Sequence, residues 1–124
     1  MNIPRELLYT ESHEWVQKLG NGTARVGITD YAQNELGDLV YINLPILSST
    51  IAMGEVMADV ESVKAVSDII CPVAGTVNAV NEDLLDSPEL INESPYDAWI
   101  AEIGDIADFN GLMSADDYAL ICEK

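Results

Sequence analysis

The segment Val60-Glu61-Ser62-Val63-Lys64-Ala65-Val66-Ser67-Asp68-Ile69-Ile70 decides how this 124-residue chain is read. Just before it, Glu55-Val56-Met57-Ala58-Asp59 begins an alternation that puts Val56, Ala58 and Val60 on one strand face. Asp59 and Glu61 fall on the other. A second apolar run closes at Ile69-Ile70-Cys71, so the middle reads as a turn between two strands. Ser62, Val63, Ala65 and Val66 are small or short and leave the Lys64 amine accessible at the tip. Gly54 and Gly75 break the chain at nearly equal distances on either side.

The lysine is conspicuous because cations are scarce. Five Lys and Arg residues stand against 22 acids, for a formal charge of -17. That charge disfavours nucleic acid, whose phosphates call for Lys and Arg, and disfavours an anionic membrane surface. Basic proteins or cationic ligands fit better, with an attraction that salt screens over about 10 Å. Hydrophobic residues make up 48% of the chain, enough for a real core at the size of one domain, residues 1–124. The longest apolar stretch, Leu39 to Leu47, is interrupted by Asn43 and Pro45 and falls far short of the roughly 20 residues of a membrane span. The opening MNIPRELLYT has neither the features of a secretory signal nor those of a transit peptide. Cys71 and Cys122 belong to no paired motif, and together these features lead us to expect a reducing, cytoplasmic setting.

Outward from the central hairpin, short strands alternate with turn residues. Glu14–Leu19 and Thr23–Ile28 flank Gly20-Asn21-Gly22, a glycine-rich hairpin turn and not a phosphate loop, since no helix follows it. Asp30-Tyr31-Ala32-Gln33 has capping-box form and Gly37 offers a stop, which predicts a short helix. Strands are expected at Val40–Leu44, Glu55–Val60, Gly75–Val80 and Ala98–Ile103. Residues 81–95 read as a helical turn and loop, and Ser114-Ala115-Asp116-Asp117 as the cap of a C-terminal helix.

Catalytic constellations are hard to assemble. His13 is the single histidine, so one chain cannot build a Ser-His-Asp triad or a multi-histidine metal site. Asp83/Asp86 and Asp116-Asp117 lack the glycine and spacing of a calcium loop. Carboxylate pairs are cheap among so many acids and carry no signal. Lys64 itself has two readings. It is a solvated turn residue paired with Glu61, or it is the attachment point of a swinging cofactor whose base a rigid hairpin holds while the far end visits other active sites.

Six segments bear on that choice. They are Ser12-His13-Glu14-Trp15-Val16; Arg25-Val26-Gly27-Ile28-Thr29-Asp30-Tyr31-Ala32-Gln33; Leu36-Gly37-Asp38-Leu39-Val40-Tyr41; Glu61-Ser62-Val63-Lys64; Cys71-Pro72-Val73-Ala74-Gly75-Thr76-Val77; and Ser87-Pro88-Glu89-Leu90-Ile91-Asn92. In this order, and over nearly the whole chain, the sequence resembles the H-protein family of the glycine cleavage system. A biotin carrier usually brackets its lysine with methionines, whereas Val63 and Ala65 stand here. Lipoyl domains of 2-oxoacid dehydrogenases usually carry an acid directly before the lysine and lack the Ser87–Leu90 region.

The resemblance implies a mainly β barrel-sandwich hybrid with short helices and a C-terminal helix. It implies lipoate joined to Lys64 by a lipoate ligase or lipoyl transferase, with Glu61 helping that enzyme recognise the turn. It also implies a non-catalytic, monomeric carrier whose lipoyl arm takes an aminomethyl group from a pyridoxal-phosphate glycine decarboxylase to a folate-dependent aminomethyltransferase. Dihydrolipoyl dehydrogenase then reoxidises the dithiol. Ser12, Glu14 and Asp68 match family positions that line the cleft receiving the loaded arm, and acceptors there would suit a cationic amine. Departures from the family pattern fall at Ile46-Leu47-Ser48-Ser49, where a glycine is usual, at Tyr96-Asp97-Ala98-Trp99, and at Glu35, where some relatives carry histidine. Two alternatives stay open: a relay that donates lipoate to other acyl carriers, and an acidic interaction module with an inert Lys64.

Overall fold

Gly20, Asn21 and Gly22 all take left-handed φ angles, of 94°, 53° and 68°. The chain therefore folds back directly from β2 (Glu14–Gly20) into β3 (Thr23–Ile28). The computed structural model describes residues 1–123. Around the hairpin, β1 (Leu8–Tyr9), β9 (Ala101–Gly104), β8 (Gly75–Val80) and β5 (Thr50–Ile51) complete a six-stranded sheet in the order β1-β2-β3-β9-β8-β5. A second sheet has three strands, β4 (Leu39–Asn43), β6 (Val56–Ser62) and β7 (Val66–Ile70), in the order β4-β6-β7. Every pairing is antiparallel.

Both sheets supply one core. Val16, Val26, Ile28 and Ile103 from the first meet Ile42, Val60 and Ile69 from the second, all buried. Each such side chain contributes roughly 1.5–3 kcal/mol relative to exposure, so this seam dominates the packing energy. Strand pairing at Trp15↔Gly27 shows how tightly the first sheet is filled. A Cβ at Gly27 would lie 2.7 Å from the Trp15 ring, so only glycine fits beneath the indole. The indole Nε1 donates to Pro95 O at 3.0 Å.

Helix α1 (Asp30–Leu36) forms where expected, but its cap is Thr29 and not Asp30. Thr29 Oγ1 accepts from Ala32 N at 3.2 Å, while Asp30 accepts from the Gln33 side chain at 2.8 Å. Thr29 is extended, as a cap residue must be, whereas Asp30 is already helical. Two one-turn helices, α2 (Asp83–Asp86) and α3 (Leu90–Glu93), occupy the polar connector. Helix α4 (Ala115–Cys122) starts at the predicted Ser114, whose side chain accepts from Asp117 N at 3.2 Å. It docks through Tyr118, which stacks on Tyr9 with ring centroids 4.6 Å apart.

Two strand expectations need correction. Val56 is exposed, while Met57 and Ala58 are both buried, because an irregularity between Val56 and Ala58 shifts the register and resets the alternation. The last strand starts at Ala101 and not Ala98. Ala98 and Ile100 are buried without ladder pairing, although Ile100 N still donates to Val26 O at 2.7 Å. No helix among the described residues is long and apolar enough to cross a membrane.

Candidate functional site

Lys64 stands at the tip between β6 and β7, exposed, with Val63 and Ala65 exposed on either side. The tip is braced by one short side chain. Ser62 Oγ accepts from Lys64 N at 3.2 Å and from Ala65 N at 3.0 Å, and Ser62 N donates to Ala65 O at 2.8 Å. A hydroxyl that collects turn amides favours this bend over a longer strand. Val63 N donates outward, to Asp38 O at 3.1 Å, which fastens the tip to the segment after α1.

The other described side-chain cations are engaged. Arg5 pairs with Asp116 at 3.1 Å, and Arg25 lies 3.6 Å from Glu102 and stacks over Trp99. Lys18 sits 4.7 Å over the Phe109 ring. Among the described residues, Lys64 alone of the side-chain cations has neither an ion pair nor an aromatic partner. Glu61 does not pair with it. Glu61 faces outward in register with Tyr41 on one side and Val66 on the other.

The Lys64 stem runs beside Gly37, where α1 ends at φ 81° and ψ −164°, a conformation almost confined to glycine. A Cβ at position 37 would come within 3.3 Å of Lys64 Cε. Asn92 on α3 closes the far side of this segment. It donates to Gly37 O at 2.9 Å and to Gln33 Oε1 at 3.0 Å, and its Oδ1 accepts from Leu39 N at 2.9 Å.

Ser12 and Glu14 converge as expected, but strand alternation is not the cause. Ser12 precedes β2, and His13 between them takes a left-handed φ of 73°. The resulting turn lets Ser12 Oγ and Thr10 Oγ1 each donate to Glu14 Oε1 at 2.6 Å. Glu14 is only 2% exposed. Burial pushes its carboxyl above the usual carboxylate range, while the two hydroxyls and the Ile70 backbone pull the other way. Asp68 is exposed on β7, directly opposite Asp59, and makes no hydrogen bond to Ser12 or Glu14. Strand β7 reaches Glu14 through the backbone of Ile70 instead.

His13 belongs to the docking of α4. Its Nδ1 lies 2.7 Å from Tyr118 Oη, which is also 2.7 Å from Thr29 Oγ1, and its ring stacks on Tyr31. Burial lowers the His13 pKa, and Glu35 on α1 opposes that shift. In the departing loop, Ile46 and Leu47 are exposed and Ser48 takes a left-handed φ of 68° where a glycine would be at ease.

Sequence reasoning passed over Thr10, Asn92 and the Asp38 carbonyl. Thr10 was within reach, four residues before Glu14 in a polar turn. Asn92 was not, because its partners lie more than fifty positions away.

Two antiparallel sheets around one core, with a braced hairpin presenting a single unpaired lysine, define the barrel-sandwich hybrid of cofactor-carrier proteins. A family model described as Glycine cleavage H-protein matches residues 7–124. The "Glycine cleavage system H protein" of Lachnoclostridium phytofermentans is 50% identical over 124 residues, covering 100% of this chain and 98% of that one. A "Probable glycine cleavage system H protein" of Pyrococcus furiosus is 59% identical over 101 residues, covering 82% and 75% respectively. The crystal structure of a glycine cleavage system H protein from Mycobacterium marinum superposes with a TM-score of 0.88 at 38% identity, covering 94% of this chain and 96% of that one. The chain belongs to the glycine cleavage H-protein family.

Proposed function

We propose that residues 1–124 act as one monomeric lipoyl carrier of glycine cleavage, with lipoate in amide linkage to Lys64. The observation that carries this reading is the lysine itself, exposed on a braced tip and free of any ion pair among the described residues. An amine tied into a salt bridge would have to be released before acylation; this one is ready for an enzyme to bind. Amide formation joins Nζ to the lipoate carboxyl carbon, with loss of two of the ammonium's three protons and of the activating group on the acid. The chain's formal charge then moves from -17 to -18 as one cation is lost.

Bound lipoate supplies reversible dithiol–disulfide chemistry and a sulfur that can carry an aminomethyl group from a pyridoxal-phosphate glycine decarboxylase to a folate-dependent aminomethyltransferase. Dihydrolipoyl dehydrogenase restores the disulfide, and a lipoate ligase or lipoyl transferase installs the group. The chain itself contributes position and surroundings, and catalysis belongs to the partners. Glu14, held by Thr10 and Ser12, offers a desolvated acceptor suited to a cationic amine. Asp68 adds negative potential from the exposed side of β7, and Glu61 stands three residues before the lysine as a mark for the modifying enzyme. The free thiols of Cys71 and Cys122 support a cytoplasmic setting.

Co-expression with lipoate and its ligase tests the reading by intact mass. A lipoyl increment in the wild type that disappears in Lys64→Arg is the expected result. An unchanged wild-type mass would sink the proposal, and an increment that persists in Lys64→Arg would move the site elsewhere.

A further inference from the structure

Strand pairing weakens where the lysine tip begins. Between Leu39 and Tyr41 the β4–β6 register shifts, so the ladder is interrupted beside Ser62. What holds the segment at that point is Asn92. It accepts from Leu39 N and donates to Gly37 O, gripping the chain on both sides of Asp38. The Asp38 carbonyl in turn takes Val63 N, and Gly37 lies against the Lys64 stem. Asn92 is itself anchored, because its neighbour Ile91 is fully buried in the core.

We infer that Asn92 is the positioning residue of the lysine tip, transmitting the fixed position of the core through residues 37–39 to Val63 and Lys64. The inference rests on the reading of Lys64 as the site of lipoylation. An enzyme that must bind the turn before acylating it meets a preordered tip, so loss of the grip raises KM with little effect on kcat.

Asn92→Asp is the sharpest probe, since it keeps size and the acceptor for Leu39 N but removes both donated bonds. Gln33→Ala is the control, as it deletes one Asn92 partner and leaves the grip on 37–39 intact. In Asn92→Asp, the Val63 amide should exchange about tenfold faster relative to amides of the six-stranded sheet, the change expected from one lost hydrogen bond. KM of the unmodified protein for lipoylation should rise about tenfold with kcat within twofold. Gln33→Ala should leave both readouts alone. Unchanged Val63 exchange, a uniform rise at all amides, or an equal effect of Gln33→Ala would overturn the inference. If Asn92→Asp does not fold, the wild type still decides. Leu39 and Val63 amides that open with equal free energies support the linkage, and unrelated ones refute it. If the wild type accepts no lipoate at all, the carrier reading falls while the exchange comparison still judges the role of Asn92.

Discussion

Glu14→Gln makes the energetics of the buried carboxyl measurable. The wild-type carboxyl is 2% exposed, and desolvation raises its pKa despite the opposing hydroxyls of Ser12 and Thr10. A group whose folded pKa lies above its unfolded one binds protons more tightly in the folded state. Its stabilising contribution is therefore complete below the unfolded pKa of 4.5 and is lost as pH rises through the higher folded value. One proton limits the slope to roughly 1.4 kcal/mol per pH unit. For 124 residues, an unfolding entropy of about 2.1 cal/mol/K per residue turns that ceiling into about 5 °C per unit. The glutamine variant cannot titrate at this position and shares all other carboxylates, so subtracting the two curves isolates Glu14. Thermal unfolding of both proteins from pH 4 to 8 should show the wild type losing ground to the variant just above pH 4.5, by no more than about 5 °C per unit, and then levelling. A flat difference, or one that grows in favour of the wild type as pH rises, would refute the desolvation argument.

Two further outcomes follow from the geometry of the site. Gly37→Ala forces a side chain into a conformation that costs about 1–3 kcal/mol outside glycine, so Tm should drop by roughly 4–12 °C in calorimetry. The same change presses on the Lys64 stem, so lipoylation should slow more than in a control variant of equal stability. Tyr118→Phe removes the hydroxyl shared by His13 and Thr29 and leaves buried polar atoms without it. A loss of about 1–3 kcal/mol is expected from denaturant unfolding, with the Lys64 tip unaffected in hydrogen exchange.

Much of the fold was legible because its signals are local. The Gly20–Gly22 turn, the Ser114 cap and the Lys64 turn each depend on residues within a few positions of one another. The errors arose where a local pattern met a tertiary constraint. Alternation assigned Val56 inward until the register shift beside Ala58 turned it out, and Asp30 looked like a cap although Thr29 carries the required extended backbone. At the site, the pairing of Ser12 with Glu14 could be foreseen, but the left-handed His13 that causes it could not, since histidine, though enriched there, adopts a positive φ in only a small minority of cases. Asn92 illustrates the same limit. Its chemistry is ordinary, and only the fold brings α3 against the end of α1.

The core also governs the cysteine that follows the lysine-bearing hairpin. Cys71 directly follows β7, is 1% exposed, and its Sγ donates to Val73 O at 2.9 Å. Burial pushes its thiol up, away from the thiolate that attacks disulfides. On the proposed reading of Lys64 as a lipoyl site, the protein's own buried thiol is thereby kept from capturing the cyclic disulfide at the end of the arm.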